Sequence, residues 1–144
     1  MALSGCGKSS GDEATAEVPP ALAKARIAQR LGDICQAHSD RQVVAIEGFE
    51  KKHGIRLGEP SRSLREQELT EVILPIVRDT IHAVGKLRPP ANEQAEFEAF
   101  VGALEHGVKV SEEDPSWIAT QRFEPFMRAR ETSAALGTYY CGQA

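Results

Sequence analysis

The sequence predicts an all-α protein: an antiparallel four-helix bundle-like domain after a disordered N-terminal linker. Three observations carry this. Apolar residues recur at three- and four-residue spacing over four successive stretches. No apolar run with a period of two lies between glycines to compete as a strand. The breaks between stretches are short and rich in glycine and proline, which favours antiparallel neighbours. The domain division is residues 1–20 for the linker and 21–144 for the helical domain. At 144 residues and 41% hydrophobic, one modest core is the expectation.

Residues 7–20 hold Gly7, Ser9, Ser10, Gly11, acidic residues and Val18-Pro19-Pro20. Such a composition buries too little apolar surface to offset its ordering entropy. From Ala21 a first helix is expected, with Ile27, Leu31, Ile34, Cys35 and His38 on one face, then Ile46 and Phe49. Gly54 suits its C′ position, and Gly58-Glu59-Pro60 continues the loop. Ser63-Leu64-Arg65-Glu66 reads as a capping box opening a second helix. Its face is Leu69, Val72, Ile73, Ile76, Val77, Ile81, Val84 and Leu87. Pro75 falls inside and should bend it.

Arg88-Pro89-Pro90 stops the second helix, because a residue before proline avoids the α region. A third helix follows near Asn92, striped by Phe97, Phe100, Val101, Leu104 and Val108. Asp114-Pro115 then reads as N-cap and N1 of a fourth. It would carry Trp117, Ile118, Phe123, Phe126, Met127 and Leu136, with a kink at Pro125. Gly137 would end it, leaving Thr138-Tyr139-Tyr140-Cys141 as a tail. In an up-down bundle the first and last helices lie side by side, so the tail turns back along helix one.

Composition excludes some functions. The net charge is −4, Lys and Arg are scattered, and aromatics make up 6%. That leaves no cationic field or stacking surface for nucleic acid. No run of eighteen apolar residues spans a bilayer.

Leu3-Ser4-Gly5-Cys6 resembles the lipobox of bacterial lipoproteins. The resemblance implies that the Cys6 thiol receives a diacylglyceryl group and that the chain is cut just before it. The protein would then sit lipid-anchored on the extracytoplasmic face of the cell envelope, with the membrane as its first partner. A secretory signal needs a basic and an apolar segment before that site. Five residues precede Cys6, so this reading requires either that the chain has been trimmed or that its start was assigned downstream of the true one. A lipidated Cys6 leaves Cys35 and Cys141 of the three cysteines. Outside the cytoplasm, an even pair reads as a disulfide. Closing a loop of roughly a hundred residues would contribute up to about 4–5 kcal/mol. In the cytoplasm the same two residues would be buried thiols, and the protein a helical interaction module with an irrelevant tail.

The same residues carry a rival pattern. Ala2 to Ser9 fits a loose phosphate loop, with Gly7, Lys8 and Ser9 as nucleotide-binding residues. A working loop hangs between a buried strand and a helix. Neither the residues before it nor the polar Ser9-Ser10-Gly11-Asp12-Glu13 supply those elements.

The helical region, about residues 21–141, resembles a group of small bacterial secreted or lipoprotein-like helical proteins without an assigned activity. The matching features are Asp33-Ile34-Cys35, Leu87-Arg88-Pro89-Pro90, Asp114, and Leu136-Gly137 with Cys141. The resemblance implies an exported helical domain with a disulfide between its first helix and its tail.

No catalytic or metal site is expected. Glu50 with His53, and Asp79 with His82, have the helical spacing of a carboxylate–imidazole pair. A di-iron bundle, however, needs inward glutamates on two further helices. His38 reads as a core-edge histidine, and Glu105-His106 has no matching ligands. Cys35 and His38 are one turn apart, but a disulfide-bonded sulfur attacks nothing, and no oxyanion loop accompanies them. The acidic residues Glu93, Glu96, Glu98, Glu105, Glu112, Glu113 and Asp114 lack calcium-loop spacing and read as a solvated face. The expected function is a non-enzymatic envelope module without a cofactor, its partner an unknown envelope protein or small ligand.

Overall fold

The computed structural model describes residues 20–55, 60–121 and 124–138. Among these the secondary structure is entirely helical, with no strand. Helix α1 runs Pro20–Lys52, about 50 Å at 1.5 Å per residue. Its buried face is Ile27, Leu31, Cys35, His38, Gln42 and Phe49, with Ile34 and Ile46 half-buried at its edge. Gly54 has φ of +66° and closes α1. The Gly54 N–H donates to the Lys51 carbonyl and the Ile55 N–H to the Glu50 carbonyl. These two bonds make the Schellman motif.

The second helix begins two residues before the expected capping box. Ser61, not Ser63, is the cap, its Oγ accepting the Leu64 N–H at 3.3 Å. Helix α2 (Arg62–Glu68) passes through a π-helical turn (Leu69–Ile73) into α3 (Leu74–Val84). Pro75 explains that turn. Its ring would strike the carbonyl four residues back, and it donates no hydrogen bond. One wide turn beforehand absorbs both defects.

A buried hydrogen bond ties α3 to α1. The Thr80 hydroxyl donates to the Ile76 carbonyl at 2.9 Å. It therefore accepts the Nδ1–H of His38, 2.7 Å away. His38 is a core histidine, held by a hydroxyl.

After α3, Leu87 is buried and Pro89-Pro90 leads into a 3-10 turn (Ala91–Glu93) and α4 (Gln94–Glu113). Beyond Asp114 the structure departs from the expected single fourth helix. The chain forms a short helix, α5 (Trp117–Thr120), then α6 (Met127–Ala135). Asp114 caps the first turn as expected in one respect, since its Oδ1 accepts the Ser116 N–H at 3.1 Å. Gln121 then adopts a left-handed φ of +49° and ends α5. Pro125 keeps the residue before it out of the helix, so the pattern breaks there rather than kinks. Phe123 lies outside the described residues. Met127, expected on the apolar stripe, is 54% exposed, because the restart of the helix rotates it outward.

Helix α3 packs on α1 and on α4, and α4 packs on α6. The last interface is built on small residues. Ala103, Gly107 and Ser111 recur every four residues along α4, all buried. The Phe126 ring fills the space that a side chain at Gly107 would take: a Cβ there would meet the ring at 2.4 Å. Ser111 Oγ donates to the Gly107 carbonyl at 2.7 Å and accepts the Trp117 Nε1–H at 3.1 Å. The Trp117 and Phe126 rings then meet edge to face, 6.4 Å apart.

Two glycines on this one helix separate propensity from packing. Alanine for glycine inside a helix gains about 1 kcal/mol, while overpacking a filled core costs about 1–3 kcal/mol. A Cβ at Gly102 meets nothing within 4 Å, whereas Phe126 is 1% exposed and cannot retreat. Gly102→Ala should therefore raise the urea midpoint and Gly107→Ala should lower it.

Candidate functional site

Among the described residues, the groove with the most distinctive chemistry lies where the first turns of α1 face the Arg88–Pro90 segment. It encloses about 570 Å³. Arg26, Ile27, Arg30 and Asp33 line it from α1, and Arg88, Pro89 and Pro90 from the opposite side.

Local sequence builds each wall. Arg26 and Arg30 are one turn apart, so their side chains share a flank of α1 beside the buried face. Pro89 and Pro90 have fixed φ, which stiffens the facing segment. The Arg88 Nη1 donates to the carbonyls of Gly85 and Leu87, at 3.1 and 3.0 Å. Those bonds anchor the guanidinium at the C-terminal end of α3 and leave its remaining N–H groups for other partners. Beside the groove, Lys24 pairs with Glu93 at 3.1 Å, and the Glu93 side chain is only 10% exposed. This pair fastens α1 to the turn that starts α4.

The electrostatics are unbalanced. Three guanidiniums and one carboxylate line the groove in a chain whose net charge is −4. No carboxylate among the described residues forms an ion pair with Arg26, Arg30 or Arg88. Like charges one turn apart cost a few tenths of a kcal/mol, and Asp33, three residues beyond Arg30 on α1, is the carboxylate set against them in the lining. Two other grooves lack this bias. The one between α3 and α4 has Arg78 paired to Glu112, with Lys109 and Glu105 beside them. The one at the end of α1 has Glu47 and Glu50 against Lys51.

The residues expected from the sequence fall elsewhere. Cys6, Gly7, Lys8, Ser9 and Cys141 lie outside the described residues. Cys35 is buried, with no solvent exposure. Among the described residues, no three His, Cys, Asp or Glu side chains group as metal ligands. The His53 ring stacks on Phe49 at 4.3 Å between centroids. No described helix is long and apolar enough to cross a membrane. In the sequence Arg88 reads as part of a helix stop, and its meeting with Arg26 and Arg30 is hidden because they lie far from it along the chain. Their signal was the unneutralised spacing of Arg26 and Arg30, together with an arginine before a proline pair. Compared with protein-family models, with curated proteins and with solved structures, the chain matches none.

One carboxylate away from the groove has a perturbed titration. Burial of Glu68 raises its pKa above the ordinary value, Glu50 on α1 raises it further, and Arg65 opposes both. A folded-state pKa above the unfolded one gives stability that is present below the unfolded value and lost as pH rises through the folded value. Glu68→Gln removes that loss. Its thermal midpoint should exceed the parent's at about pH 7, with the gap closing toward about pH 4.

Proposed function

We propose that this chain is a lipid-anchored protein of the bacterial envelope, acting as a non-enzymatic binding or scaffold module. The observation that carries the reading is Leu3-Ser4-Gly5-Cys6, whose cysteine would bear the acyl chains. Residues 7–20 would serve as a leash averaging about 20–25 Å. The reading also takes in the likeness to small exported helical proteins. It treats residues 21–144 as one domain in which four helical segments, the last one broken, pack as an antiparallel bundle.

The start of the tail supports the Cys35–Cys141 disulfide. Gly137 has φ of +82° and ends α6 with a second Schellman motif. A Cβ on Gly137 would lie 3.6 Å from the Ala28 Cβ, and one on Gly32 would lie 3.8 Å from Thr138 Oγ1. From residue 137 to 138 the chain thus advances along α1 from the level of residue 28 to that of residue 32. Cys35 is roughly one turn further along α1, about 4.5 Å. Cys141 is three residues further along the tail, a reach of up to about 10 Å. The Cys35 sulfur is engaged rather than free.

Two measurements test the reading. Membrane fractionation of the natively expressed gene product should place it with the membrane, and Cys6→Ala should release it; soluble behaviour of both would refute the anchor. Thiol titration of the unfolded, unreduced protein should find neither Cys35 nor Cys141 reactive. Two reactive thiols would instead indicate a cytoplasmic helical interaction protein.

A further inference from the structure

We propose that the groove between α1 and the Arg88–Pro90 segment binds a phosphate monoester attached to an apolar body. Arg26, Arg30 and Arg88 would take the phosphate, and Ile27 with the Pro89 and Pro90 rings the apolar part. This names a ligand class for the binding-module reading above and rests on that reading, but it does not need the anchor at Cys6.

The argument begins with charge. Three guanidiniums against the single carboxylate of Asp33 leave an excess that matches a phosphate monoester near neutral pH, which carries about −1.5 to −2. One bidentate arginine fork already engages both oxygens of a carboxylate, leaving only their outer lone pairs for further donors. A tetrahedral phosphate has oxygens for several forks at once, so three arginines in one groove favour it over a carboxylate. Preorganisation points the same way. Arg88 is already anchored by two backbone carbonyls, and Arg26 and Arg30 stand on a helix fixed by the Lys24–Glu93 pair. An anchored side chain, here that of Arg88, loses less freedom when a ligand arrives.

Beside the arginines the lining is partly apolar, with Ala23, Ile27, Pro89 and Pro90 next to Gln29. Ile27 belongs to the core cluster, and the two prolines have no N–H to offer a ligand. A small inorganic ion would leave that wall unused. The segment after α6 stays clear of the groove at its start, because Gly137 and Thr138 lie against Ala28 and Gly32, on the other flank of α1.

The test uses the full-length chain carrying Cys6→Ala, so that acylation cannot contribute. One arm measures flotation with vesicles of phosphatidylcholine, with and without phosphatidic acid. The other measures calorimetric binding of phenyl phosphate, a soluble monoester. Binding to phosphatidic acid vesicles alone identifies a lipid headgroup as the source; binding of phenyl phosphate identifies a free ester. Either supports the site if Arg26→Gln/Arg30→Gln weakens it by about fivefold for each arginine lost while helix content is unchanged. Lys51→Gln/Lys52→Gln, at the far end of α1, should leave it intact. Three results would overturn the proposal: no binding in either arm, undiminished binding by the double arginine variant, or equal weakening by the lysine variant. None of these bears on whether Cys6 is acylated, which the fractionation assay decides separately.

Discussion

The contact between Phe126 and Gly107 sets the position of α6 on α4. A glycine at that point lets an aromatic ring reach the helix backbone, and the ring has 1% exposure once there. Ser111 and Trp117 close the same interface from the next turn, using a hydroxyl that both donates and accepts. With the start of α6 held in this way, nine residues of helix carry the chain across to α1, where Gly137 meets Ala28. The proposed disulfide therefore depends on packing some distance from either cysteine. It would staple a tail that the Phe126 contact has already delivered to the correct flank. In the chain-entropy view the bond adds stability mainly by restricting the unfolded chain, so it need not pull the tail into place.

The helical stripes were legible because burial follows the 3.6-residue period. Leu31, Cys35, Leu69, Val77, Val84, Phe97, Phe100 and Leu104 all fall on predicted faces and are all buried. Gly54 was legible because few residues other than glycine suit a left-handed C′ position. What failed had local competitors of similar strength. Ser61 and Ser63 both offer a capping hydroxyl, and cap propensity alone does not choose between them. The stretch from Asp114 to Gly137 has a helical pattern throughout. Its break depends on a non-glycine residue, Gln121, taking a left-handed conformation that no composition rule signals. Once the helix restarts after Pro125 its phase is new, which is why Met127 is turned outward. The π turn before Pro75 was half-legible: a disturbance was required, but its form was not.

The groove was illegible for a different reason. A binding surface made of exposed side chains leaves no periodic trace. Arg26 and Arg30 are separated from Arg88 by some sixty residues and come together only because α3 returns along α1 and Leu87 is buried beneath the turn. Scattered arginines in an acidic chain read, reasonably, as solvation. The clue lay in what was missing around them, since α1 carries Lys24, Arg26 and Arg30 in its first turns with no acidic residue before Asp33. That arrangement is unfavourable to the helix dipole, which prefers negative charge at its N-terminus. Helix stability therefore does not account for it.

The overall negative charge does not prevent an anion from using that groove. At physiological ionic strength the Debye length is about 8 Å, much shorter than α1. Acidic groups such as Glu47, Glu50 and Glu71 lie far along the bundle from the first turns of α1, and their field is largely screened before it reaches Arg26. Nearer acidic side chains matter more: Glu93 is neutralised by Lys24, Asp33 is itself part of the lining, and Glu98 and Glu105 line the adjoining groove that Arg88 and Pro89 share. Pairing Glu93 with Lys24 rather than with an arginine keeps carboxylates off the Arg26 and Arg30 forks and off the Arg88 N–H groups that its two backbone carbonyls leave over, and a fork is the better partner for a planar or tetrahedral oxyanion than an ammonium. The division of labour between one lysine and three arginines is thus what makes a locally cationic site compatible with an acidic protein.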